Sequence, residues 1–387
     1  MVIRVCVVTG SRSEYGLLRG VMQEFRESPH FDLKVVATGS HFSSEYGFTY
    51  RKIQEDGFRV DARIAARFDT RSATSLTAAL GLWTAKFGEA FHRLNPDLVV
   101  VMGDRYELLA AGAAAIVSGI TIAHISGGEI TEGAIDEQIR HAVTKMAHLH
   151  FVANEDYAAN VRQMGEELWR ICVSGEPGLD NIHRIKPMNR SELERELKLD
   201  LSIPTAVVTF HPVTLESSKI DKQVDEVLSA IESAGLQYVI TYPNADLGSG
   251  RIISRLKRFA KQHPGRTRLV TSLGQRRYLS LLRHTVMMIG NSSSGLVEAP
   301  SFNLPVVDIG SRQQGRVRAV NVINVRCTRE DVLRGIRSAL RYDRTRRCVN
   351  PYGDGRSSAR VRRFIEKIFK TKTREQILKK RFVRLQA

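Results

Sequence analysis

Acidic side chains at the ends of apolar runs are the first chemistry this sequence offers. The run Leu98–Met102 stops at Gly103-Asp104-Arg105, and the run Thr121–Ile125 stops at Ser126-Gly127-Gly128-Glu129. A polar cluster follows, containing Asp136, Glu137, Arg140 and His141. The Ala-rich stretch between the two runs has helical character, so the segment reads as a βαβ unit. Ligands of such units sit at the carboxyl ends of the strands. Asp104 and Glu129 should therefore lie side by side over one crevice, with Asp136 and Arg140 close behind. Several carboxylates in one crevice point to proton transfer.

Groups suited to anions flank this centre. Gly10-Ser11-Arg12-Ser13-Glu14-Tyr15-Gly16 turns the strand Ile3–Thr9 into a helix. Free N–H groups there, with Arg12, favour a negative ligand. The match to GxGxxG is poor, which disfavours a dinucleotide. Farther on, Gly290-Asn291-Ser292-Ser293-Ser294-Gly295 joins a strand to a helix. Ser292 and Ser293 could give backbone and hydroxyl donors to phosphate, and Glu298, one turn on, could accept from ribose hydroxyls; the alternative is a serine N-cap with a capping carboxylate. Arg312 and Arg316 add two guanidinium groups suited to a diphosphate. His211 ends another strand and should face the crevice, where it could contact a leaving phosphate; the alternative is a loop residue that merely precedes Pro212. Tyr242-Pro243-Asn244 ends the next strand and could reach a nucleotide. His41, after the strand Asp32–Thr38, fits either a ligand contact or a surface loop.

The elements that must position these residues alternate between strand and helix. Residues 1–175 hold about six such alternations, as in a doubly wound parallel sheet. Gly175-Glu176-Pro177-Gly178 and the charged stretch Lys186–Asp200 mark a junction. A second series follows, with strands at Thr205–Phe210, Gln237–Tyr242, Thr267–Ser272, Val286–Ile289 and Val306–Ile309. Arg63–Ser75 reads as irregular, Leu80–Leu94 as a helix, and Ser358–Arg384 as one or two basic amphipathic helices. The fold class is therefore α/β, with two Rossmann-like domains.

Bulk properties exclude several classes. The 387 residues suffice for two cores, and 42% hydrophobic with 26% charged content fits a globular chain. No apolar run reaches membrane-spanning length, so no membrane insertion is expected. Strand-like sequence from Ile3 leads us to expect no signal peptide. Cys6, Cys172, Cys327 and Cys348 lack metal spacing and read as reduced thiols of a cytoplasmic protein. Lys+Arg 58 against Asp+Glu 41 gives a net charge of +17. Much of that excess lies in Arg337–Arg363 and Lys367–Arg384, without interleaved aromatics or a helix-turn-helix pattern. It reads as a solvated basic surface rather than a nucleic-acid interface.

The segments TGSRSEYG, ATGSH, VMGDRYE, HISGGE, DEQIRHAVTKMAHLHF, GEPGLDN, FHPVTLE, YPNAD, GNSSSGLVEAPS and IGSRQQGRVRA run in order from Thr9 to about Ala319. In combination they resemble the hydrolysing UDP-N-acetylglucosamine 2-epimerases of bacterial sialic-acid pathways. The resemblance implies glycosyltransferase-B-like architecture, with the two domains facing across a cleft. Residues 1–180 would carry the carboxylates and 181–357 would bind UDP. Residues 358–387 would pack back on the first domain. It implies conversion of UDP-N-acetylglucosamine and water to N-acetylmannosamine and UDP, by elimination to 2-acetamidoglucal and then hydration. Asp104, Glu129 and Asp136 would form the acid/base set, and Arg140 would orient a carboxylate. His211 and Arg105 would hold the diphosphate. Arg12, Ser292, Ser293 and Arg312 would bind phosphates, Glu298 the ribose, and Asn244 and the backbone near Leu273 the nucleoside. No cofactor is implied, and a homo-oligomer, dimer or tetramer, is expected. Ser126 stands where many relatives have an acidic residue, and Glu176 where a small one is common. These loops surround the sugar, so the same chemistry on a UDP-2,4-diacetamido-2,4,6-trideoxyhexose is the main alternative. A UDP-sugar glycosyltransferase is a further one.

Overall fold

The computed structural model describes residues 2–44, 47–66, 72–132, 135–244, 246 and 248–384. Strands β1 (Ile3–Thr9), β2 (Phe31–Thr38), β3 (Ala62–Ile64), β4 (Leu98–Met102), β5 (Thr121–Ile125), β6 (Leu149–Val152) and β7 (Ile171–Val173) form one sheet, ordered β3-β2-β1-β4-β5-β6-β7. A second sheet, ordered β10-β9-β8-β11-β12-β13, comprises β8 (Thr205–Thr209), β9 (Gln237–Thr241), β10 (Thr267–Val270), β11 (Met287–Gly290), β12 (Val306–Ile309) and β13 (Val322–Val325). Every pairing is parallel. The central strands β4, β5 and β8 are buried along their whole length. Helices cover both faces of such sheets, so these strands are mostly apolar without alternation, interrupted by the buried Thr121, His124, Thr205 and Thr209.

Both sheets reverse their order at one place, β1/β4 in the first and β8/β11 in the second. A crevice opens at such switch points, beyond the strand ends. The residues emerging there are Gly10–Arg12 and Gly103–Arg105 in front, and His211 and Gly290–Ser294 behind. Gly290 is obligatory: its φ is +137°, and a Cβ would sit 1.9 Å from the Thr209 carbonyl oxygen. The result is glycosyltransferase-B-like architecture.

The chain returns from the second sheet to the first. The helix Ser357–Thr371 places Val361, Ile365 and Ile368 in the same core as Leu18 and Met22 of the helix Arg12–Glu27. Asp180 caps it, accepting from the Ser357 and Ser358 N–H groups at 2.8 and 2.7 Å. Beyond it, Arg170 is fully buried and donates to the Ile377 and Lys379 carbonyls at 2.7 and 3.0 Å.

Several elements differ from the sequence reading. Part of Arg63–Ser75 is ordered structure: Arg63 and Ile64 belong to β3, and a helix starts at Ala73. Residues 67–71 of that stretch lie outside the described residues. Lys186–Asp200 holds the helix Arg190–Leu197, which Asn189 and Glu192 start with a capping box. Strand β13 and the helix Arg329–Leu340 were unassigned. β13 is an edge strand with mostly half-buried residues, so its apolar signal is diluted.

Candidate active site

A cavity of about 1110 Å³ lies between the carboxyl ends of the two sheets. From the front sheet its wall includes Arg12, Asp104, Arg105, Ser126, Glu129, Arg140 and Glu176. From the rear sheet it includes His211, Asn244, Leu273, Ser292, Ser293, Glu298, Arg312 and Arg316. Loops and helix starts at the strand ends supply most of these side chains, with Arg140 reaching in from the helix Asp136–Met146, and both halves contribute to one space.

The carboxylates carry specific counter-charges. Asp104 pairs with Arg140 Nη2, while Arg140 Nη1 donates to Glu129 O at 3.0 Å and Thr131 Oγ1 at 2.7 Å. Arg140 sits one turn into the helix Asp136–Met146, and burial lowers its guanidinium to about 10. Glu129, 2% exposed, pairs across the interface with Arg316. The His124 ring lies 2.7 Å from the Gly103 carbonyl through Nε2 and holds the turn that presents Asp104.

His211 is fixed through Asn291. Asn291 Oδ1 accepts from His211 N–H at 2.7 Å, and Asn291 Nδ2 donates to His211 O at 2.9 Å. The Asn244 N–H donates to His211 Nδ1 at 3.1 Å. The ring nitrogen that accepts carries no proton, so Nε2 bears it. Burial, then the nearby Arg312 charge, lower His211 to about 3. The residue is therefore a neutral N–H donor over the neutral range, suited to a phosphate oxygen.

Four assignments need correction. Asp136 does not line the cavity. It is half-buried near Asp246 and near Arg105 and Arg312 of the cavity wall, and burial followed by the Asp246 charge raises its carboxyl. Arg105 reaches the cavity, but its guanidinium is committed to Asp246 at 2.5 Å and lies 3.6 Å from Glu107. It joins the two halves with its charge already balanced, and so is poorly placed to hold a diphosphate. Arg316 likewise answers Glu129, which leaves Arg312 as the guanidinium of its segment not ion-paired to a carboxylate among the described residues. His41 is neither exposed nor in the cavity wall. It is fully buried, 3.1 Å from Thr9 Oγ1 and 2.9 Å from Thr49 Oγ1.

The serine segment also differs in detail. The helix after it, Ser294–Val297, is a single turn, and Pro300 follows in a short 3-10 segment. A one-turn helix has a slight dipole, so Ser292 and Ser293 would act through hydroxyl and N–H groups. Asn291 and Asp246 are the residues whose importance the sequence did not signal. Each acts through a partner on a distant segment.

A family model described as UDP-N-acetylglucosamine 2-epimerase matches residues 23–366. The chain belongs to that family. It is 36% identical over 368 residues to the hydrolysing UDP-N,N'-diacetylbacillosamine 2-epimerase of Legionella pneumophila, covering 95% of this chain and 97% of that protein. It is 35% identical over 322 residues to the hydrolysing GDP/UDP-N,N'-diacetylbacillosamine 2-epimerase of Campylobacter jejuni, covering 83% and 84% respectively. The crystal structure of UDP-GlcNAc 2-epimerase from Neisseria meningitidis bound to UDP-GlcNAc superposes with a TM-score of 0.80 at 18% identity, over 94% of this chain and 100% of that one. Membership makes this an enzyme of the nucleotide-sugar 2-epimerase type. Among the described residues, no group of three or more His, Cys, Asp or Glu could hold a metal ion, and no helix is long and apolar enough to cross a membrane.

Proposed function

We propose that the chain is a hydrolysing 2-epimerase of a UDP-linked 2-acetamido sugar, acting by elimination and then hydration. The observation that carries this reading is one cavity lined both by ion-paired carboxylates of the front half and by the serines, Arg312 and His211 of the rear half. Asp104 is the more accessible carboxylate, with 20% of its side chain exposed against 2% for Glu129. Asp104 takes the C2 proton as the C1–O bond breaks, and UDP leaves with the bonding pair. The His211 Nε2 proton and the donors of Arg12, Arg312, Ser292 and Ser293 take up the charge on the diphosphate. Water then adds at C1, and Glu129 accepts its proton. Reaction in D2O should place deuterium at C2 of the released sugar; unlabelled C2 by proton NMR would exclude elimination.

UDP-N-acetylglucosamine, giving N-acetylmannosamine for sialic-acid synthesis, is one candidate substrate. Two relatives at 35% and 36% identity carry names that favour the second, a UDP-diacetamido-trideoxyhexose, while a polysialic acid biosynthesis protein of Escherichia coli, also 36% identical, favours the first. Incubation with each sugar and measurement of UDP release separates the two. Release that requires an added acceptor would instead identify a glycosyltransferase.

Glu298 supports the nucleotide half of this reading through its own titration. Burial, with Glu176 nearby, raises its carboxyl to about 7. Ribose hydroxyls donate to the ionised form, so binding UDP favours loss of that proton. UDP affinity should therefore rise with pH toward about 7, by at most roughly tenfold per unit, and then level off. Calorimetric titration of UDP at several pH values checks this. Glu298→Gln should flatten the profile, and Glu298→Ala should weaken binding roughly tenfold or more, the scale of a charge-assisted hydrogen bond. Unchanged affinity in the alanine variant would remove Glu298 from the ribose site.

A further inference from the structure

The loops after β4, β5 and β7 each bring a carboxyl group to the cavity, and the three differ in what faces them. Asp104 has Arg140 and Glu129 has Arg316. Glu176 has a hydroxyl: Ser126 Oγ donates to its Oε1 at 2.7 Å. A hydroxyl offers a hydrogen bond without a counter-charge. Glu176 is 5% exposed, and burial raises its carboxyl to about 7 against the Ser126 hydrogen bond and the Arg140 charge. Burial, with the Glu298 carboxyl also near, thus favours the protonated form at this position.

The group is also rigidly mounted. Glu176 N–H donates to Tyr352 O at 2.8 Å, and Ser357 Oγ donates to Gly175 O at 2.6 Å. Gly175, at φ +80°, rests against Gly353. A buried carboxyl group with no ion-pair partner among the described residues costs stability, and a merely structural hydrogen bond to Ser126 does not need one.

Inversion at C2 requires a base on one face and a loaded acid on the other. A carboxylate held in an ion pair with arginine is a proton acceptor; it is poorly suited to arrive protonated. We propose that Glu176 is the catalytic acid that delivers the new proton to C2 of the glycal. The proposal rests on the 2-epimerase reading above. In this step the C1=C2 pair forms the new C2–H bond with the Glu176 proton, leaving Glu176 as carboxylate. Water bonds to C1 through oxygen and yields one proton to Glu129. Solvent then reprotonates Glu176, while Asp104 and Glu129 return theirs, so each turnover releases one net proton.

The test compares wild type with Glu176→Gln and Ser126→Ala. Glu176→Gln should still release UDP but form the epimer at least about a hundredfold more slowly, so that 2-acetamidoglucal, or its 4-acetamido counterpart, appears by NMR. Ser126→Ala removes the bond that favours ionisation and should move the alkaline limb of kcat to higher pH, a shift that a structural role would not produce. Epimer formation by Glu176→Gln at the wild-type rate overturns the assignment and leaves the reaction standing. So does parallel loss of both steps in Glu176→Gln with the Ser126→Ala limb unmoved. A wild-type protein that releases no UDP from either sugar overturns both readings.

Discussion

Asp104→Asn should lower turnover by at least about a hundredfold, the usual contribution of a positioned general base, while UDP affinity changes little. The nucleotide contacts proposed here lie on Arg12 and the rear half, so binding and chemistry should separate in this variant. Asparagine matches aspartate in shape but cannot take the C2 proton. It also leaves Arg140 without its counter-charge, and Arg140 is 3% exposed. An unpaired buried guanidinium costs about 3–5 kcal/mol, so the variant should also melt earlier. Glu129→Gln gives a control that removes the other carboxylate and leaves Asp104 paired. UDP binding by calorimetry and turnover by UDP release, both measured below the melting transition, distinguish the two effects. Near-normal turnover in Asp104→Asn would end its assignment as the base.

The largest loss of stability is expected at Arg170, far from the cavity. Its guanidinium donates to the carbonyls of His148, Gln376, Ile377 and Lys379, to Glu167 Oε2 at 2.8 Å, and stacks 4.1 Å from the Trp169 ring. Arg170→Met keeps the apolar stem but leaves these carbonyls without their donor and removes the partner of Glu167. The cost should be several kcal/mol, on the scale of breaking a buried charged network. Residues 374–384 should then become accessible to trypsin before the rest of the chain. None of the Arg170 partners lines the cavity, so KM for the UDP-sugar should hold in the folded fraction. A proteolysis pattern and melting curve matching the wild type would show that the C-terminal segment is held by its apolar contacts alone.

The positions of Asp104, Glu129 and His211 were legible because each lies just after a buried, mostly apolar strand. The alternating fold then dictates which end of the sheet they reach. Partners were not legible, because pairing is set by tertiary approach. Glu129 meets Arg316, 187 positions on, and Ser126 meets Glu176, 50 positions on. Arg105 read as a phosphate ligand because its real partner, Asp246, lies 141 residues away. Asp136 opens a helix whose Arg140, one turn later, takes the place beside Asp104, a pairing that linear spacing does not reveal.

The chain passes between the halves twice, and the two passages are fastened together. Gly175 and Glu176 are bonded to Tyr352 and Ser357, and Asp180 caps the returning helix. Such a doubled connection works like the spine of a book. It leaves the covers a swing about one axis and resists twist or sideways drift. Glu176 sits on that spine, so a swing that carries Ser292 and Arg312 toward or away from Asp104 would move Glu176 least. Catalytic timing would then be set by how far the covers stand apart.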